Sequence, residues 1–152
     1  MRNAPTSPID RRILSQTAEH ALRALLFLGG RRDAGLTPAS EVAAALGTPP
    51  NYTGKTLRQL ARTGLLRSGR GPHGGFALRV EPSAITVAGV VDTVDGLVAR
   101  PAVCLLGDRP CDAGRPCEAH RRWAAVHERA NELLERTTLA DLLGHGAVQG
   151  AA

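Results

Sequence analysis

TPPNYTGKTLRQLARTGLLRSGRGPHGGFAL, residues 48–78, decides the fold. The Thr48-Pro49-Pro50 connector is short and stiff. It opens a segment, about Asn51 to Thr63, in which Leu57, Leu60 and Ala61 fall on one helical face and Gly64 supplies the stop. The pattern then changes. Leu65-Leu66-Arg67 and Phe76-Ala77-Leu78-Arg79-Val80 flank the run SGRGPHGG, the signature of two short strands around a glycine-rich turn.

Two helices are expected upstream. The first runs from about Ser15, a side-chain cap, to Leu28, with Ala18, Leu22, Leu25 and Leu26 as its stripe and Gly29-Gly30 as its end. The second opens with Thr37 as cap and Pro38 as first residue, buries Val42 and Leu46, and stops at Gly47. Downstream, Thr86 caps a short helix ending at Gly96. A loop rich in Gly, Pro and Asp follows, then a long helix from about Glu118 to Arg136 and a last short helix capped by Thr137 or Thr138.

Helix, helix, tight turn, helix and glycine-tipped hairpin make a winged helix-turn-helix, so the expected fold is mainly α with a small β-hairpin wing and a long C-terminal dimerisation helix. Such a third helix fits the DNA major groove. Its polar side offers Asn51, Tyr52, Thr53, Lys55, Thr56, Arg58 and Arg62, and the N-terminal residues of that set are placed to meet base edges or phosphates. Gly54 is the odd residue, since glycine inside a helix costs about 1 kcal/mol relative to alanine. Arg67, Arg70 and His73 sit among small residues in the wing, a composition suited to a narrow minor groove.

The totals agree. The net charge is +5, and the 19 basic residues are 18 Arg and Lys55, which favours an anionic partner. No apolar run is long enough to cross a membrane, and no nucleophile–base pair, phosphate-cradling loop or paired carboxylates point to an enzyme or a small-molecule substrate. A cytoplasmic location is expected. With 43% hydrophobic but 3% aromatic residues, the core is built from Ala, Leu and Val, and a dimer would add stability. Ala119, Trp123, Val126, Ala130 and Leu133 in the long helix form a heptad-like seam, expected to meet a partner. The chain divides into a disordered arm 1–12, a DNA-binding domain 13–96, a cysteine loop 97–117, a dimerisation segment 118–143 and a disordered tail 144–152.

All three cysteines lie in that loop, Cys104, Cys111 and Cys117, with gaps of six and five residues, and His120 follows Cys117 after two more. Three thiols do not pair fully, so a disulfide framework fits poorly. Thiolate and imidazole suit zinc and iron–sulfur clusters alike. The gaps are wider than the C-x-x-C of structural zinc sites, which favours a cluster and leaves zinc or redox thiols as alternatives.

LSQTAEHALRALLFL (14–28), residues 36–78 including the wing RGPHGGF, the three-cysteine loop ending in C-x-x-H, and RRWAAVHERANELLERTTLADLL (121–143) together resemble the Rrf-two family of bacterial winged-helix transcriptional regulators, in its IscR-like and NsrR-like forms. The resemblance implies a homodimer joined through the long helix and binding a palindrome-like double-stranded DNA operator. It implies an iron–sulfur cluster, 2Fe-2S favoured and 4Fe-4S the other form, on Cys104, Cys111 and Cys117. His120 is the implied fourth ligand, with Glu19 on the first helix of the partner subunit as the alternative. The implied activity is regulation, most often repression, controlled by redox state, nitric oxide or cluster status. A cluster-free regulator with a zinc or thiol-redox site, and a metal-dependent protein-interaction module, are the rival functions.

Overall fold

The computed structural model describes residues 14–95, 114–115 and 118–144. Within them the chain forms α1 (Gln16–Gly29), α2 (Ala39–Leu46), α3 (Pro50–Arg62), β1 (Leu66–Gly69), β2 (Gly75–Leu78), α4 (Val87–Asp95), α5 (His120–Arg136) and α6 (Leu139–Gly144). This is the expected mainly helical fold with a two-stranded wing. The arm, the cysteine loop with Cys104, Cys111 and Cys117, and the tail lie outside the described residues.

Helix α1 is the spine. The Ser15 hydroxyl accepts from the Ala18 amide at 2.9 Å, so the expected cap forms. Ala18, Ala21, Leu25 and Leu28 are buried, and α2, α3, α4, α6 and β2 all pack on this helix. Its small residues let the neighbours approach closely, which is how a core short of aromatic residues fills its space. Leu57 and Leu60 from α3, Val42 from α2, Leu66 and Leu78 from the wing, Ile85, Val90 and Leu139 complete the cluster.

Thr37 does not cap α2. Its backbone forms an isolated bridge with Phe76, N–H to carbonyl in both directions at 2.9 and 2.8 Å, and Pro38 takes the cap position without a side-chain bond. The threonine thus adds a third lane beside β2, and the wing gains a pairing partner that periodicity does not reveal. A β-carbon at Gly75 would run into the Thr37 carbonyl, so this close approach requires glycine there. The strands pair antiparallel from Leu66–Leu78 to Gly69–Gly75, β1 running two residues and β2 one residue further into the glycine-rich turn than the apolar pattern suggests. Arg32 grips Glu81 with two bonds of 2.6 and 2.5 Å, tying the turn after α1 to the segment after the wing.

The C-terminal helices are stitched to the segment before α4. The Val87 amide donates to the Thr137 carbonyl at 2.9 Å and the Leu139 amide to the Ile85 carbonyl at 2.8 Å. Thr138 is the cap of α6. Its hydroxyl accepts from the Asp141 amide at 3.2 Å while the Asp141 carboxylate accepts from the Thr138 amide at 2.8 Å, a reciprocal capping box. Helix α5 buries none of its side chains. Leu134 touches the core, whereas Val126 and Leu133 of the heptad-like seam are 56% and 63% exposed. Those two seam residues are therefore left uncovered by their own domain, while Ala119, Trp123 and Ala130 are half-buried.

Candidate functional site

Helix α3 is held from behind and bare in front. Leu57 and Leu60 anchor its inner face, and the Gln59 side-chain amide donates to the Thr93 carbonyl of α4 at 2.9 Å. Its amphipathic period leaves Asn51, Lys55, Arg58 and Arg62 exposed on one stripe. Tyr52 is 36% exposed beside them.

Two residues depart from the expected polar face. Thr53 is fully buried, its hydroxyl paired with that of Thr48 at 2.8 Å, where it braces the turn between α2 and α3. Thr56 is also buried and donates to the Tyr52 carbonyl at 3.2 Å. A threonine whose hydroxyl finds a local acceptor packs as an apolar residue would. Thr53 is therefore turned away from the surface that the other α3 candidates share.

The wing follows α3 through Gly64 and Leu65, and β1 packs on that helix. Arg67, Arg70 and His73 are exposed there. Lys55, Arg58 and Arg62 on the helix and Arg67 and Arg70 on the wing are all exposed cations. Such cations can neutralise phosphates along a duplex while the helix offers donors to base edges.

Behind the start of α3 lies a feature that the sequence reading missed. His20 of α1 is 6% exposed, and its ring lies 4.7 Å from that of Tyr52, tilted by 34°. Its Nε2 has no hydrogen-bond partner among the described residues. Burial, with the Arg23 charge added, pushes the imidazole below its ordinary pKa, so the ring is neutral at neutral pH. His20, Ala24 and Leu28 are spaced by four and all buried, a second inward stripe on α1 that was available as a signal. A cavity of about 230 Å³ opens beside the ring, lined by Gln16, Glu19, Arg23, Thr48 and Tyr52 among others.

Glu19, the alternative fourth ligand, faces this cavity and pairs with Arg23 at 2.6 Å across one helical turn. His120 is the first residue of α5. It is partly buried, and its Nδ1 is buried without a hydrogen-bond partner among the described residues. An imidazole nitrogen buried at a helix start without a hydrogen-bond partner among the described residues is chemically suited to ligate a metal, so His120 fits the donor set that the three cysteines imply. Those cysteines lie outside the described residues, so the structure brings none of them to His120 or Glu19. No group of three or more potential ligands occurs among the described residues. No described helix is long and apolar enough to cross a membrane.

Comparison with known proteins agrees with this geometry. The family model for Rrf2, described as "Iron-dependent Transcriptional regulator", matches residues 14–145. The chain is 30% identical over 132 residues to the HTH-type transcriptional regulator IscR of Yersinia pseudotuberculosis, covering 87% of this chain and 79% of that one. Among solved structures it superposes on CymR, the global cysteine regulator of B. subtilis, with TM-score 0.70 and 25% identity over 87% of this chain and 96% of that one. IscR of T. potens shares the fold at TM-score 0.67 and 24% identity, covering 92% and 95%. Wing, recognition helix and family match converge: the chain belongs to the Rrf2 family of DNA-binding transcriptional regulators and is not an enzyme.

Proposed function

We propose that the protein is a homodimeric repressor whose operator affinity is set by an iron–sulfur cluster on Cys104, Cys111, Cys117 and His120. The observation that carries the sensor half is the unpaired, buried Nδ1 of His120, three residues after Cys117. The family's iron dependence supports the same reading. Two irons suit this donor set, and four irons is the other form. When bound, the cluster supplies a redox- and nitric-oxide-reactive link between the cysteine loop and the start of α5.

The chain's own residues do the rest. Lys55, Arg58, Arg67 and Arg70 meet phosphates or base edges, with Asn51, Tyr52 and His73 beside them. The seam of exposed Val126 and Leu133 with half-buried Trp123 and Ala130 docks on a second copy and sets the distance between the two α3 helices. The Trp123 and His127 rings, 4.7 Å apart and edge to face, hold that side of α5 in shape. A change in what Glu19 and Arg23 engage reaches Tyr52 through the His20 ring, because all four side chains line one cavity. Where Glu19 of the partner subunit replaces His120 as fourth ligand, the same contact couples the sensor to the reading helix. A difference of a few kcal/mol between the two dimer states suffices for regulation.

The test is protein purified without oxygen, assayed for iron, sulfide, zinc and visible absorption. Iron with matching sulfide, lost in Cys111→Ala, is expected. Zinc without sulfide turns the loop into a structural clip, and neither metal removes the sensor. A gel shift on the duplex upstream of its own gene tests the DNA half. No shift in any metal state would favour the protein-interaction module.

A further inference from the structure

Gly54 sits inside α3, where glycine weakens a helix, and the core does not require it. The inward face of α3 is carried by Leu57 and Leu60. Positions 51, 54, 55, 58 and 62 fall on one outward face at the helical period. The other four residues of that face are exposed, yet Gly54 is buried.

Arg58 is what covers it. Around the place where a β-carbon of residue 54 would stand, the nearest atoms all belong to the Arg58 guanidinium: Nη1 at 3.4 Å, Nη2 at 3.7 Å and Cζ at 3.8 Å. Helical side chains lean toward the N-terminus and cover the preceding turn, so Arg58 folds back one turn. Among the described residues the guanidinium has no hydrogen bond or ion pair. A free planar fork is thus held against bare helix backbone, next to Lys55 and toward the end of the helix that bears Asn51.

We propose that Gly54 is a positioning residue: it seats the Arg58 guanidinium flat on the recognition helix and aims it at a guanine in the major groove. This rests on the DNA-binding reading above and adds the base that is read. Arginine meets O6 and N7 of guanine with two parallel donors, a match that lysine lacks. A loose arginine loses rotamer freedom when it binds, and a seated one has lost part of it beforehand. The seat tolerates alanine, whose β-carbon at 3.4 Å from Nη1 is in ordinary contact. A longer side chain at position 54 would grow from that β-carbon and compete with the guanidinium for this space.

Duplexes selected from a random pool decide the matter, using wild type purified without oxygen, Gly54→Ala, Gly54→Leu, Gly54→Gln, Arg58→Ala and Arg58→Lys. Wild type and Gly54→Ala are expected to enrich a motif with a guanine that the other four no longer require. Replacing that guanine by 7-deazaguanine, which lacks N7, should weaken wild type and Gly54→Ala by about 10-fold or more and leave the others within about 2-fold. Gly54→Leu and Gly54→Gln keep every charge, so their binding to unselected duplex and its salt dependence should match wild type. A merely structural role for Gly54 would weaken selected and unselected duplex alike. Adding Arg58→Ala to Gly54→Gln should cost no further preference. If Gly54→Leu fails to fold, Gly54→Gln, a good helix former on an outward face, carries the test. A motif unchanged in Arg58→Ala or in both larger Gly54 variants overturns the proposal. A wild type that enriches no motif overturns the DNA-binding reading beneath it, a distinguishable result.

Discussion

Leu133→Ala is the perturbation that best separates the dimer seam from the core. Leu133 is 63% exposed in the single chain, so its truncation removes little intramolecular packing. The substitution should change the stability of the isolated fold by no more than about 0.5 kcal/mol, as for other surface positions. In a two-fold dimer the same side chain is covered twice. Burying a leucine completely is worth about 1.5–3 kcal/mol, and roughly two-thirds of that remains to be gained here, so each copy contributes about 1–2 kcal/mol. Two copies contribute about 2–4 kcal/mol, which raises the dimer dissociation constant about 30- to 1,000-fold. Sedimentation equilibrium over a range of concentrations reads that constant directly. Leu57→Ala is the contrast: Leu57 is fully buried, and its loss should cost the fold about 2–5 kcal/mol. A Leu133→Ala dimer constant within about 3-fold of wild type would refute the seam, because the solvent-exposed leucine would then remain in water in the dimer too.

Three further outcomes follow from other parts of the molecule. Lys55→Ala and Arg70→Ala should each weaken operator binding and reduce the slope of log K against log salt by about one, and unchanged slopes in both would remove them from the phosphate contacts. His120→Ala should lower iron per chain and shift the visible spectrum while Glu19→Gln does neither; the reverse pattern would move the fourth ligand to Glu19. Gly75→Ala should lower the melting temperature and DNA affinity together, because the Thr37–Phe76 bridge must open to admit the methyl group, and a variant as stable as wild type would show that the bridge is not formed.

The fold was legible where a single local rule settled each element. Ser15 caps α1, Gly47 and Gly64 end α2 and α3, and the change from a helical to a strand pattern at Leu65 marks the wing. Thr53 and Thr56 were harder for one shared reason. Threonine carries a methyl and a hydroxyl on the same carbon, so its environment depends on whether a neighbouring oxygen satisfies the hydroxyl. For Thr53 that oxygen is the Thr48 hydroxyl, five residues away and across a turn. Thr37 joins the wing through its backbone, which no side-chain pattern reports. His20 was overlooked because histidine reads as polar, although its spacing with Ala24 and Leu28 gives it an inward position. The candidate site divides along the same line. Exposed cations on α3 and the wing can be read from periodicity alone, whereas the proposed sensor would need ligands brought together from distant segments, the cysteine loop with either His120 on α5 or Glu19 on α1. Which of them would answer the cysteines turns on how two chains meet, and no helical pattern reports that. That is also why the exposed α5 seam matters to the chemistry: moving Leu133 out of contact should disturb metal retention as well as assembly if the ligand comes from the partner subunit's Glu19, and assembly alone if His120 completes the set within one chain.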